Sequence, residues 1–517
     1  MIVRLTIDGR PVAAPVGASL VAAARLAGIE IPTLCHREGC EPETSCLVCV
    51  VRVDGSPRLV PACATTVAEG MTVESETDEI RAARRMALEL LLGDHAGDCV
   101  APCQMACPAG MDIPGMLRLI REDRMGEAVA LVKRRIPLPA ILGRICPAPC
   151  EAPCRRGELD EPVSIKDLKR AVGDHDLQSP APHEPIIPPA TGRRVAVVGA
   201  GPTGLSAAYY LRRLGHAVTL LDDRERLGGM MREAIAPDVL PPDVLDAEIA
   251  RVLAVGIELH AGRRLGRDDS LPQLQEAFDA VLLACGPLPR EEIEALGLAA
   301  AHKGIAVEHD SLQTSLPGVF AAGGVVTPMK LAVRAVGQGH AAAHAMDLFL
   351  RGEAPRIPAR PFTTRPGKLA PGELEAMSVG AVTDRDRSRS VTAPTPTPER
   401  DAAARCLACA CAAADTCRLR RWAAAYQAGT REYAGTRRLT HPEASHDLVI
   451  YDEGKCLQCG LCVQIARREG EALGLAYVGR GFQVRVGVPW SEPVAAGLQH
   501  AARACAEACP TGALILR

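Results

Sequence analysis

The side chains here with the most chemistry to offer are 21 cysteines in a chain of 517 residues, and they are grouped. They fall at 35 to 63, 99 to 107, 146 to 154, 406 to 417 and 456 to 509, with Cys285 alone. Thiolates bind iron, and short loops between them let several converge on one inorganic core. With no secretory signal in the sequence, such groups point to metal ligands or redox groups ahead of a disulfide framework. Cys35, Cys46, Cys49 and Cys63 are separated by ten, two and thirteen residues. Cys406, Cys409, Cys411 and Cys417 stand at intervals of two, one and five, tight enough for a 4Fe-4S site. KCLQCGLC supplies Cys456, Cys459 and Cys462, and EACPTGAL adds Cys509 followed by Pro510.

A second chemistry occupies the cysteine-poor stretch from about 190 to 350. Residues 194 to 222 run as apolar strand, Gly199-x-Gly201-x-x-Gly204, helix, second strand and Asp222, with Pro202 and Thr203 inside the turn. The glycines let the backbone approach a pyrophosphate whose charge is met by the helix N-terminus, and the acid accepts ribose hydroxyls. Asp223 reads as solvated surface. The motif alone does not distinguish FAD from NAD.

Several elements must position these groups. Residues 2 to 7 alternate, Asp8-Gly9 makes a turn, and the following segment passes from a second strand into a helix. Helical periodicity covers 80 to 92, and a helix is expected over 114 to 134 with Met116, Leu117, Leu119 and Ile120 on its apolar face. Pro-rich stretches at 178 to 192 and 352 to 400 read as connectors. Fifty-nine Lys+Arg against 62 Asp+Glu give a net charge of −3, which offers no bulk electrostatic case for nucleic acid or an anionic membrane. No apolar run is long enough to span a membrane, so a soluble, cytoplasmic chain is expected. Aromatic content of 3% leaves the cores to Ala, Val, Leu and Ile.

The segment IPTLCHREGCEPETSCLVCVVRVDGSPRLVPACAT, after its hairpin and helix, resembles the plant-type 2Fe-2S domain of the large iron-sulfur subunit of complex I and of iron-only hydrogenases. Zinc is the competing occupant of its four cysteines. His95, three residues before Cys99, matches the His-ligated 4Fe-4S segment of those proteins; its alternative is a helix-end histidine without a metal role. From Cys99 onward, CVAPCQMACPAGMDIPG and ICPAPCEAPCRRGELDEPVSIKDLKR resemble the double-cluster domain of the glutamate synthase small subunit and dihydropyrimidine dehydrogenase. That resemblance implies one cluster on Cys99, Cys103 and Cys154, with His95 in place of the family's first cysteine. It implies a second on Cys107, Cys146 and Cys150, whose fourth ligand position, Gln or Glu in the family, is Lys169 here. The Cys456, Cys459, Cys462 and Cys509 pattern is similar to bacterial ferredoxins. The reciprocal second cluster is degenerate, with Ala466 at its expected cysteine, and Cys505 is either a spare thiol or an alternative fourth ligand. Five clusters then use all cysteines except Cys40, Cys285 and Cys505, and Cys285 reads as a small core residue.

The stretches ERLGGMMREAIAPDVLPPDVLDAEI, FDAVLLACGP and TSLPGVFAAGGVVTPMKLAVRAVGQGHAAA resemble the FAD-binding half of the glutamate synthase small-subunit family, which implies FAD contacts at Gly228, Gly229, Gly323 and Gly324. The family usually carries Asp at the position of Gly324. Its NADPH domain is missing: only about 27 residues, 287 to 313, stand where it belongs, so flavin but not nicotinamide binding is expected. The expected fold is multidomain, α/β and α+β. It comprises a β-grasp 2Fe-2S ferredoxin domain at 1–78, a helical double 4Fe-4S domain at 79–180, a Rossmann-like FAD domain at 190–352, a linker at 353–400 and a ferredoxin-like 4Fe-4S domain at 401–517.

By resemblance to iron-sulfur flavoprotein subunits associated with formate dehydrogenases, the expected function is electron relay. Electrons would pass between a molybdenum- or tungsten-dependent formate dehydrogenase-like or hydrogenase-like catalytic subunit and a complex I-like NADH/FMN module or another acceptor. No catalytic acid-base residues are assigned. The alternatives are a stand-alone NAD(P)H-dependent FAD oxidoreductase of the glutamate synthase type and a scaffold with a degenerate flavin site.

Overall fold

The computed structural model describes residues 1–364, 369, 372–378, 398–433, 435 and 442–516. Most of the expected 353–400 linker lies outside the described residues. The chain divides into two compact units, one formed by Met1–Val100, Pro361–Val379 and Cys409–Arg517, the other by Ala101–Arg360 and Gly380–Ala408.

The first unit opens with the hairpin that alternation predicts. Strands Ile2–Ile7 and Arg10–Pro15 pair antiparallel with Leu5 opposite Val12. Asp8 and Gly9, at φ 48° and 75°, make the turn, because a two-residue hairpin needs left-handed backbone at both positions. Leu5, Ile7, Val12 and Ala14 face inward beneath helix Leu20–Leu26, whose first turn is capped by Ser19 accepting from the Ala22 N–H at 3.2 Å. The sheet is completed in the order Arg10–Pro15, Ile2–Ile7, Thr72–Glu74, Val50–Val53, Leu59–Pro61, with only Ile2–Ile7 and Thr72–Glu74 parallel. Helix Asp78–Gly93 follows, begun by Thr77 with Asp78 and Glu79 in its first turn. Its Arg84 is fully buried but satisfied, donating to the Val50 carbonyl and paired with Glu76 at 2.8 Å.

Later in the same unit, strands Val449–Tyr451 and Leu514–Leu516 form an antiparallel pair, covered by helices Leu461–Arg468 and Ala502–Ala508. A ribbon of Ala476–Val478 and Arg485–Gly487 packs beside them.

In the second unit, helices Pro139–Ile145 and Ile165–Gln178 pack against each other through glycine: a Cβ on Gly143 would stand 2.4 Å from Arg170 Cα. The single helix expected over 114–134 is instead two, Ile113–Arg121 and Met125–Lys133. Asp123 between them takes φ 61°, a left-handed conformation that ends an α-helix, although the linking residues Glu122, Asp123 and Arg124 include neither Gly nor Pro to signal it. A five-stranded, wholly parallel sheet follows in the order Val319–Ala321, Ala280–Leu283, Arg194–Val198, Ala217–Leu221, Glu258–His260. Continuous Val, Leu and Ala runs suit strands buried on both faces. Helices Pro202–Arg213 and Ala332–Leu350 cover it, with Ser206 donating to the Val336 carbonyl at 2.8 Å.

The helical segment and the sheet share one hydrophobic core. Glu248, 2% exposed, ties them together by accepting the Ala140 and Ile141 N–H groups at 2.7 Å each, at the N-terminus of Pro139–Ile145. Residues 287–313 contain one short helix, Arg290–Ala295, and loops. No described helix is long and apolar enough to cross a membrane.

Candidate metal centres and dinucleotide turn

The loop after helix Leu20–Leu26 and the strands Val50–Val53 and Leu59–Pro61 bring Cys35, Cys46, Cys49 and Cys63 together, all buried. Cys35 and Cys46 Sγ are 3.3 Å apart. Hydrogen bonding from Cys46 pulls the Cys35 thiol down to about 5, and hydrogen bonding from Cys63 pulls Cys49 down to about 7. The partners Cys46 and Cys63 are pushed up, chiefly because each gives its proton to the other thiol's charge. Four buried thiols gathered in this way form a donor set suited to an iron core.

Among the described residues no three His, Cys, Asp or Glu side chains converge on a point fit for a single metal ion. The iron-sulfur alternative asks for wider spacing, since the ligands surround a core of several atoms. Cys456, Cys459, Cys462 and Cys509 line one almost wholly apolar cavity, closed by Tyr451 and Leu514. Cys459 is pushed up to about 12 by burial first and by the charges of Cys509, Cys456 and Cys35. Cys462 is raised well above the ordinary thiol value, by burial first and by the charges of Cys459, Cys456 and Cys509. Cys505 does not line this cavity; its thiol donates to the Cys462 carbonyl at 3.5 Å. Between the first thiol group and this cavity lies Arg418, which sequence spacing does not single out. Its guanidinium donates to the His36 carbonyl at 3.5 Å and the Ala508 carbonyl at 3.1 Å, next to Cys35 and Cys509. Burial lowers its pKa, while the charges of Cys459 and Cys509 raise it.

Cys107, Cys146 and Cys150 gather in the second unit beside Lys169, which is 5% exposed. Burial pushes Cys150 up to about 12, with the Cys107 charge adding to the rise and the Lys169 charge opposing it. Lys169 therefore stands as the cation of this group. Cys154 and Cys406 are neighbours in the same unit: the Cys154 charge adds to the rise that burial causes at Cys406. Arg405, next in sequence, donates to Asp160 at 2.9 Å. The four-cysteine run from 406 to 417 is divided between the two units, as are Cys99 and Cys103. Cys411 and Cys417 are electrostatic neighbours of Cys99. His95 is pushed down to about 4 by burial, so its imidazole is neutral.

The dinucleotide turn leaves the central strand Arg194–Val198 at the point where strand order reverses, the crevice in which open α/β sheets bind ligands. Gly199, at φ 107°, would place a Cβ 2.5 Å from the Ala284 carbonyl oxygen, and a Cβ on Gly204 would lie 1.7 Å from the Gly199 carbonyl oxygen. Both positions require glycine. Gly201 has open space, as a close approach by a ligand requires. Pro202 and Thr203 begin the helix, and Gly323 abuts the Thr203 hydroxyl so closely that a Cβ would lie 2.4 Å from it. Gly228 and Gly229 lie beside the turn: the Gly228 N–H donates to Ala200 O at 3.1 Å, and a Gly229 Cβ would stand 3.1 Å from Gly201 Cα. Asp222 accepts from the Ala200 N–H at 2.5 Å and the Arg224 N–H at 3.0 Å, while burial raises its pKa. It therefore shapes the turn itself. At Gly324 a Cβ would meet Pro287 Cδ at 3.4 Å, an ordinary contact, so the position tolerates a Cβ. Cys285, at the end of Ala280–Leu283, is pushed up to about 12 by burial, which keeps the thiol protonated.

The chain thus combines a phosphate-accommodating turn in a parallel sheet with grouped thiols. Comparison with known families agrees. Residues 1–78 match the 2Fe-2S iron-sulfur cluster binding domain, 92–180 the dihydropyrimidine dehydrogenase domain II, 4Fe-4S cluster, and 161–339 pyridine nucleotide-disulphide oxidoreductase. The chain is 35% identical over 240 residues to the NADP(+)-dependent formate dehydrogenase subunit beta of Moorella thermoacetica, covering 42% of this chain and 32% of the relative. It is 40% identical over 190 residues to the NADPH-Fe(3+) oxidoreductase subunit beta of Geobacter sulfurreducens, covering 36% and 28%. It is 36% identical over 209 residues to the glutamate synthase [NADPH] small chain of Mycobacterium tuberculosis, covering 38% and 42%. The matches thus span between 28% and 42% of these relatives' lengths.

Proposed function

We propose that this chain is an electron-transfer subunit that relays electrons through iron-sulfur clusters and a bound FAD within a larger redox complex. The observation that carries the proposal is Arg418, whose guanidinium donates to the His36 carbonyl beside Cys35 and to the Ala508 carbonyl beside Cys509, so that one side chain joins the first thiol group to the apolar cavity. Two donor sets this close make a relay rather than two isolated structural metals. The β-grasp form of the first domain and the ferredoxin-like form of the last belong to the same proposal.

Cys35, Cys46, Cys49 and Cys63 would hold a 2Fe-2S cluster, and Cys456, Cys459, Cys462 and Cys509 a 4Fe-4S cluster. Cys107, Cys146 and Cys150 would hold another, with Lys169 offsetting its charge. FAD would lie against Gly199, Gly201, Gly204, Gly228, Gly229 and Gly323, with its pyrophosphate facing the N–H groups that begin Pro202–Arg213. When bound, a flavin exchanges one or two electrons, which lets it join single-electron carriers to a two-electron partner. The chain's own part is to exclude water, fix the thiols and present the backbone turn. The partner class is a formate dehydrogenase-like or hydrogenase-like catalytic subunit and a pyridine-nucleotide module, supported by the relatives' being named as subunits.

Anaerobically purified chain should contain about eighteen irons, from one two-iron and four four-iron clusters, together with one FAD. Dithionite reduction should give several EPR signals, and NADH or NADPH added to the isolated chain should reduce the flavin only slowly. Rapid reduction by a pyridine nucleotide would favour the self-contained oxidoreductase, and iron-free protein would end the relay.

A further inference from the structure

Sequence spacing keeps Cys406 to Cys417 as one set and His95 with Cys99 in another. The backbone pairs these segments differently. In the first unit, Asp98 and Ala410 form a parallel bridge, and the Cys411 N–H donates to the Asp98 carbonyl at 3.0 Å and the Cys99 carbonyl at 3.4 Å. Cys417 closes the other side: its sulfur accepts the Arg420 N–H at 3.4 Å at the start of helix Arg418–Ala425. Each of the three thiols lies within electrostatic reach of the other two.

Backbone and side chains pack closely against these thiols. A Cβ on Gly512 would stand 2.4 Å from Cys411 Sγ, so only glycine lets the thiol sit against the backbone there. Thr364 covers Cys99 from another side, with its hydroxyl 3.4 Å from Cys99 Sγ. The fourth corner falls to His95. Its Nδ1 is buried with no hydrogen-bond partner, an unusual state for a polar ring atom. The Ala96 N–H, donating to the Gly454 carbonyl at 2.8 Å, holds this histidine beside Lys455. Lys455 is paired with Asp452 at 2.7 Å and is also the electrostatic neighbour of Cys99 and Cys411.

We propose that His95, Cys99, Cys411 and Cys417 bind one 4Fe-4S cluster as a single set, drawn from segments more than 300 residues apart in sequence. The inference rests on the iron-sulfur reading above and changes which residues share a cluster. Each iron of a cubane takes one protein ligand, so three thiolates and one imidazole complete it. Replacing a fourth thiolate by neutral imidazole removes one negative charge, and the Lys455 ammonium opposes another, both of which favour the reduced form. Cys406, released from this set, is left with Cys154 in the second unit.

The test uses the full-length chain, purified anaerobically. Cys99→Ser and Cys411→Ser should each lose about four irons and extinguish the same EPR signal, and the double variant should lose no more than either alone. Cys406→Ser should leave that signal in place. A double variant that loses about eight irons, or a Cys406→Ser variant that extinguishes the Cys411 signal, would overturn the grouping. Pulsed EPR of unsubstituted protein labelled with 15N-histidine needs no variant: one histidine nitrogen should couple to a reduced cluster, and absence of that coupling removes His95 from the set. Iron-free unsubstituted protein defeats the relay itself, which distinguishes that failure from failure of the grouping.

Discussion

The cavity of Cys456, Cys459, Cys462 and Cys509 and the turn from Gly199 to Gly204 meet opposite demands. At the first, side chains do the work: four thiols enter an apolar space, where burial pushes Cys459 up to about 12. At the second, side chains are excluded: a Cβ at Gly199 or Gly204 would collide with backbone oxygen. One site is defined by which atoms are added, the other by which are left out. Substitutions should therefore fail in different ways, by loss of ligand at the cavity and by loss of shape at the turn.

The largest expected effect is at the cavity. Cys459→Ser should remove one cluster entirely, about four irons, while leaving flavin content unchanged, as iron assay and flavin extraction would show. Gly204→Ala comes next. Its Cβ cannot be accommodated 1.7 Å from the Gly199 oxygen without moving the turn, so it should cost more than ~2 kcal/mol and release flavin while the iron content stays near normal. If Gly204→Ala instead lost iron and kept flavin, the contrast between the two sites would collapse.

A smaller, pH-dependent effect is expected at Glu248. Burial raises its carboxyl to about 8, above the ordinary carboxylate value, so the folded chain binds a proton that the unfolded chain releases. The resulting stability is complete below about pH 4.5 and is lost as pH rises toward 8. Melting temperature followed across that window should fall with rising pH, and Glu248→Gln should flatten the slope. The smallest change is at Gly324, where a Cβ is tolerated. Gly324→Asp should tighten flavin binding by on the order of tenfold if the added carboxylate gains one charge-assisted hydrogen bond, a difference that titration of the apoprotein would measure.

Local patterns were the legible part of this molecule. The opening hairpin follows from alternation and Asp8-Gly9, and the glycine turn follows from a strand, three glycines and a helix. The cavity's cysteines follow from short spacing and the Cys509-Pro510 pair. What stayed hidden depended on partners far away in sequence. Nothing near Cys99 indicates that Asp98 pairs with Ala410, and nothing near Glu248 distinguishes it from a solvated acid on an amphipathic helix. Lys455 had a weak local signal, since it directly precedes Cys456, but its ammonium serves Asp452 and the thiols of another group. The break at Asp123 went unsignalled because apolar periodicity continues on both sides of it.

Arg418 acts as a rivet between two thiol-bearing loops, holding the carbonyl beside Cys35 with one nitrogen and the carbonyl beside Cys509 with another. The two loops are therefore mechanically joined. Displacement of either loop would be transmitted through the guanidinium to the other.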